Sequence, residues 1–198
     1  MGTDIHEMQL ALFSLGVHAS RVDVVELFSP GRLQELCSVV GLTPGGAFDL
    51  RTGWDLSDDE AQRTCWETLE KMRPSFILGS LLRAPFQQPA HGTPEFQKRL
   101  SEGEKHLEFV MRVYTWQASE GRLFLHEHPW ATTSWKLPHV VKVMGIEGVE
   151  VRRGDQYCFG LRLKDQYGDK LARKPTGWMS NAPKVLDRVA LTCSNDLV

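Results

Sequence analysis

Val24-Val25-Glu26-Leu27-Phe28-Ser29-Pro30 is an apolar run that closes on an acid, a hydroxyl and a proline turn, and the same device returns three times along the chain. Gly46–Asp55 (GAFDLRTGWD), Ser75–Arg83 (SFILGSLLR) and Arg122–Pro129 (RLFLHEHP) are the other instances. Runs of this length, bounded by turn residues, suit strands covered on both faces, as in a parallel α/β sheet. Ligands of such sheets bind beyond the carboxyl ends of the strands, so the polar residues gathered there mark the expected site.

The intervals between these runs read as helices and turns. Ser29-Pro30-Gly31 turns into a helix with apolar positions Leu33, Leu36, Val39 and Val40. A second strand is expected around Gly46–Leu50. Ser57-Asp58-Asp59-Glu60 then reads as an N-cap with acids in the first turn of a helix that runs from Ala61 to Met72 and stops before Pro74. Pro94 opens a long helix to about Ala118, and Gly145 ends a shorter one within 130–145. Strands are expected at Val22–Phe28, Phe76–Leu78, Leu123–Leu125, Val149–Val151 and Tyr157–Phe159. Gly79–Gly92 and the surroundings of Gly168 are expected to be loops, and Lys184–Leu191 a closing helix. Upstream, Ile5, Met8, Leu12 and Leu15 fall at helical spacing, with Gly16 as a stop, and predict an amphipathic lead-in over residues 4–18.

Composition bounds the partners. With 198 residues, 41% hydrophobic and 24% charged, residues 1–198 are expected to form one domain, 1–20 being its lead-in, with no separate target-recognition domain. A net charge of −2 gives no vote for a strongly basic nucleic-acid binder, although a local basic face is compatible with it. Cys37, Cys65, Cys158 and Cys193 are spaced too widely for a zinc site or a disulfide framework, and no secretory leader is legible. The expectation is an intracellular protein, in cytoplasm or nucleus. No stretch approaches the ~20 apolar residues of a bilayer span, so no membrane association is expected.

Read in order, the segments resemble the cytosine C5 DNA methyltransferase family, in particular short phage-like and mobile-element-like members. Glu26-Leu27-Phe28-Ser29 is similar to the D/E-L-F-S motif around the methionine half of S-adenosylmethionine, with Gly31 as the one glycine kept from its turn. Asp155–Gly160 and Lys174–Asn181 resemble the paired Y-C-Q-Y-G and K-P-T-x-x-W/F-x-T-N motifs of the phage-like members. The resemblance implies a Rossmann-like S-adenosylmethionine-dependent methyltransferase fold, a mostly parallel sheet with helices on both faces. It also implies a cofactor site built from Glu26, Phe28, Ser29, Gly31, Asp49, Asp55 and Ser80. Asp49 is the candidate for the ribose and Asp55 for the adenine edge; ordinary turn and capping chemistry is the alternative for both.

The family's next strand ends in G-S-P-P-C-x-x-F-S, whose cysteine adds to the flipped cytosine. Here the frame reads Gly79-Ser80-Leu81-Leu82-Arg83-Ala84-Pro85-Phe86-Gln87, with Arg83 at the thiol's place. A guanidinium stays protonated and only donates, so it offers no nucleophile. Glu127 in His126-Glu127-His128 stands where the family's base-reading glutamate stands, against the alternative of a salt bridge. Lys174, Thr176 and Asn181 are candidates to hold substrate, Lys174 on a phosphate, with a structural hairpin and its Pro-fixed turn as the alternative. Trp130 and Trp135 could stack on bases or fill the core. Strand alternation places His126 and His128 on one face, but two ligands do not complete a metal site, so no metal is expected.

These residues leave three functions open. One is a divergent domain, related to DNA cytosine methylases, that binds S-adenosylmethionine but is impaired in C5 transfer, with DNA or another nucleic acid as possible partner. Another is an active methyltransferase on a different acceptor, and the third an inactive, mobile-element-derived binding domain.

Overall fold

Val24–Leu27 forms β1, buried at all four positions, and β1 is an interior strand of the sheet, flanked by β2 and β3. A computed structural model describes residues 22–80, 93–165, 168–171 and 174–192. The short helix α1 (Gln34–Val39) leads to β2 (Pro44–Phe48). Helix α2 (Asp59–Met72) begins where Asp58 accepts a hydrogen bond from the Ala61 amide, with Asp59 and Glu60 in its first turn, and it ends at Arg73 in the left-handed region. Strand β3 (Phe76–Ser80) follows. Helix α3 (Pro94–Ser119) has Thr93 as its cap and proline in its first turn. Then come β4 (Leu123–Pro129), α4 (Pro138–Met144), β5 (Glu150–Asp155), β6 (Arg162–Asp165), β7 (Gly168–Leu171), β8 (Pro175–Ser180) and α5 (Pro183–Val189).

The main sheet has six strands in the order β2-β1-β3-β4-β8-β5. Strands β2, β1, β3 and β4 run parallel; β8 is antiparallel to both β4 and β5, which leaves β8 as the one reversed strand. The expected mixed α/β, mostly parallel architecture is therefore the observed one. Helices cover both faces. Val25, Leu27, Ile77, Phe124 and Met179 join Val110, Val113 and Tyr114 of α3 in the main core. The alternate residues Val24 and Phe76 point to the other face, where they meet Leu33, Leu36 and Cys37 around α1. On that face Gly154 of β5 lies beneath the backbone of Val189 and Ala190 at the end of α5.

Several boundaries differ from the sequence reading. The second strand lies at Pro44–Phe48 rather than Gly46–Leu50, because Asp49 leaves the sheet to cap a 3-10 turn over Leu50–Thr52. Gln156–Phe159 is a 3-10 turn closed by Gly160 at φ 79°, in place of the strand predicted over Tyr157–Phe159. Gly168 starts β7, which pairs with β6 in a separate two-stranded ribbon rather than sitting in a loop. The lead-in over 4–18 and the segment 81–92, Arg83 included, lie outside the described residues.

Candidate functional site

At the end of β1 the chain turns out of the sheet within one residue. Phe28 adopts φ 53°, a left-handed conformation rare for an aromatic residue, and Gly31 follows at φ 78°. Such outliers persist only where the surroundings hold them, and they gather at ligand sites. The holding group is Glu26. Its carboxylate, fully buried, accepts from the Ser29 hydroxyl at 2.5 Å, the Arg32 amide at 3.2 Å, the Leu33 amide at 2.7 Å and Gln34 Nε2 at 3.0 Å. The amides of Arg32 and Leu33, in the turn that leads into α1, thus find a partner in a strand residue. Glu26 accordingly shapes the turn from beneath it.

Replacing Glu26 by alanine leaves those donors unmatched in a buried place. We expect a loss of ~2 kcal/mol, read as a lower urea midpoint, with glutamine recovering only part because its amide presents donors to donors.

Around this turn the carboxyl ends of β1, β2, β3 and β4 enclose a crevice of about 340 Å³, lined by Phe28, Ser29, Asp49, Ser80, Glu127 and Lys174 together with Arg32 and Arg51. Its size falls in the range of small-molecule sites, ~300–1,000 Å³. Asp49 Oδ1 accepts from the Arg51 amide at 2.9 Å, while its own amide donates to Thr52 Oγ1. The Asp49 side chain also accepts from the Thr52 amide, which closes a capping box. Glu127 pairs in register with Ser80 across the β3–β4 ladder. Its Oε1 accepts from Lys174 Nζ and from Gln156 Nε2, both at 2.8 Å. The ion pair is about four-fifths buried, with side chains 21% and 24% exposed, so Glu127 is held by named partners rather than free in the crevice.

Other candidates fall elsewhere. Asp55 is an exposed turn residue outside the crevice. Hydrogen bonds from the Ser57 hydroxyl and amide hold its carboxyl below the usual range. Asn181 clamps the opposite end of the sheet: its Oδ1 accepts from the Phe124 amide and its Nδ2 donates to the Arg122 carbonyl. Thr176 is buried, and its hydroxyl donates to the Lys174 carbonyl. Trp135 Nε1 donates to the Pro129 carbonyl and its ring lies against Gly177, a packing role, whereas Trp130 is 40% exposed.

Beneath the crevice floor lies a buried polar layer. His126 and His128 stack with ring centroids 5.5 Å apart on the face opposite Glu127. His126 Nδ1 meets the Tyr114 hydroxyl at 3.2 Å, and His128 Nε2 meets Ser134 Oγ at 2.5 Å. Burial pushes His126 well below the ordinary histidine range, with charge on His128 adding to it, and brings His128 down to about 4. Both are therefore neutral at neutral pH. Among the described residues, no group of three or more His, Cys, Asp or Glu side chains could hold a metal.

The sequence reading missed Arg32, Arg51 and Gln156. The two arginines stand just past the ends of β1 and β2, where the strand-end rule could have found them; Gln156 reaches Glu127 only through the antiparallel return of β8.

Comparison with solved structures gives weak likenesses of fold. The METTL16 methyltransferase domain aligns over 91% of this chain and 68% of its own, at 10% identity and a TM-score of 0.33. A human methyltransferase 10 domain containing protein aligns over 91% and 82%, at 10% identity and a TM-score of 0.30. Both are methyltransferases by name. No family model and no curated protein matches the sequence.

Proposed function

We propose that the chain is an S-adenosylmethionine-dependent methyltransferase-type domain whose crevice at the carboxyl edge of β1–β4 takes the cofactor. The observation that supports this most is the meeting of Phe28, Ser29, Asp49 and Ser80, residues up to 52 positions apart, around one small-molecule-sized space. They fit the ligand chemically. Asp49 presents a carboxylate of the kind that accepts from ribose hydroxyls, the Phe28–Gly31 turn brings backbone close to the space, and Arg32 and Arg51 match a carboxylate. The bound cofactor would supply an electrophilic methyl group. The chain's own part is to bind, orient and keep Glu127 fixed beside the acceptor.

Relation to cytosine methylases, with impaired C5 transfer, is the finer reading, and a nucleic acid is the proposed partner. Covalent addition to cytosine needs a thiolate, and the sequence offers Arg83 at that place. No cysteine lines the crevice among the described residues. Cys65 is buried, which pushes its thiol up to about 12, and Cys37 is also raised by burial. An acceptor that is itself nucleophilic, such as an amine, suits this site better than a pyrimidine carbon.

Calorimetric titration tests the reading. S-adenosylmethionine and S-adenosylhomocysteine are expected to bind saturably, Asp49→Ala to weaken both at least ~10-fold, and Asp55→Ala to leave them unchanged. Absence of binding to the wild-type protein would overturn it. A radiolabelled transfer assay is expected to show no label on cytosine C5 of DNA; label there at a substantial rate contradicts the finer reading.

A further inference from the structure

Lys174 reaches into the crevice from the residue before β8. Its main chain is fixed there. The carbonyl accepts from the Gln156 amide at 3.2 Å and from the Thr176 hydroxyl at 3.3 Å, and the next carbonyl, of Pro175, accepts from the Trp130 amide. The side chain is 24% exposed, and its Nζ lies 2.8 Å from Glu127 Oε1. Asp49 stands just past β2 and Glu127 on β4, with β1 and β3 between them. A cofactor held by Asp49 and the Phe28–Gly31 turn leaves the β4 end to the acceptor, and that end holds an amine already. Among the described residues that line the crevice, Lys174 carries the one primary amine. Arg32 and Arg51 stay protonated and only donate, and the Ser29 hydroxyl is committed to Glu26.

We propose that Lys174 is a self-methylation site of this domain. The inference rests on the cofactor reading of the crevice and goes beyond it by naming an acceptor. The Lys174 ammonium gives up one proton through Glu127 to solvent, which reaches this partly exposed pair. The Nζ lone pair then forms a bond to the methyl carbon of S-adenosylmethionine. The carbon–sulfur bond breaks with its electron pair staying on sulfur, and S-adenosylhomocysteine leaves. The positive charge passes from sulfur to the methylated nitrogen, so no other reactant is required. Holding amine and methyl donor in one crevice supplies the proximity that a dissolved amine lacks. An amine also attacks without the thiol addition that a pyrimidine carbon demands.

Measurements on the full 198-residue chain test it. Calorimetry with S-adenosylhomocysteine establishes whether the crevice takes the cofactor. Acetylation of lysines by an amine-reactive ester, mapped by peptide mass spectrometry, then reads the Lys174 amine without any turnover. Saturating S-adenosylhomocysteine is expected to slow labelling of Lys174 ~5-fold, while Lys98, 78% exposed on α3, is labelled as before. With S-adenosylmethionine bearing a deuterated methyl group and no added acceptor, the label is expected on the Lys174 peptide, at a fractional rate independent of protein concentration. Glu127→Gln should slow this transfer at least ~100-fold, and Lys174→Arg should remove it. Cofactor binding without label on Lys174 of the wild-type chain overturns the self-methylation and leaves the cofactor reading intact; no binding overturns both. Label spread evenly over surface lysines also overturns it. So does a fractional rate that rises in proportion to protein concentration, which assigns the transfer to a second copy.

Discussion

Gly79→Ala will destabilise the protein by ~3 kcal/mol, near the upper end for overpacking a core. A Cβ at Gly79 would stand 1.9 Å from the Tyr114 hydroxyl oxygen, 3.1 Å from Cζ of the same ring and 3.2 Å from Val110 Cγ2. Tyr114 cannot yield cheaply. Its ring stacks on Phe124 with centroids 4.4 Å apart and its hydroxyl is engaged with His126. The glycine is needed for close approach, since the strand must let a phenol lie directly on its backbone. Tyr114→Phe in the same chain removes the nearest atom but leaves the contact at Cζ, so it should restore only part of the loss. Urea unfolding of the two single variants and the double variant measures this. Additive losses would show that the two positions do not press on one another.

The second large effect is acid sensitivity. An unfolded histidine titrates near 6.5, whereas burial holds folded His128 near 4 and His126 well below the ordinary range. Between those values the unfolded chain takes up protons that the folded chain refuses, so stability declines as pH falls from ~6.5 to ~4. At neutral pH both are deprotonated in either state, and no such loss occurs. His128 alone accounts for ~3 kcal/mol across that window at ~1.4 kcal/mol per unit. His106 and His139, lowered chiefly by burial, act in the same direction. Urea midpoints at half-unit steps from pH 7.5 to 4.5 should fall continuously, and His128→Asn should flatten part of the slope. A wild-type midpoint constant across that range would contradict the buried, neutral state of this pair.

Strands β1 and β3 and the start of β4 were the most legible part of the chain because they are mostly apolar and end on polar or turn residues, a pattern that local sequence carries. The tips of β1 to β4 were legible for the same reason, and it was the family resemblance that singled out Phe28, Ser29, Asp49 and Ser80 among the residues there. What failed required knowledge of direction. Asn181 looks like a neighbour of Thr176 in sequence, yet β8 is extended, and five residues at ~3.4 Å each carry the chain to the other end of the sheet. Tyr157-Cys158-Phe159 has strand-forming composition, but Gly160 at φ 79° closes it as a turn. The role of Glu26 was hidden too. Its backbone partners are six and seven residues ahead, and they approach it only after Phe28 has turned the chain back.

The place of β8 also orders assembly in time. Strand β5 is one of the two edge strands and its one neighbour in the sheet is β8, which the ribosome delivers about twenty residues later. Four parallel strands can align while synthesis continues, but β5 must wait, its amides and carbonyls unmatched, until the reversed strand slots in beside β4. A nascent chain halted before Pro175 therefore forfeits two strands of the sheet, and synthesis of Pro175–Ser180 completes both at once.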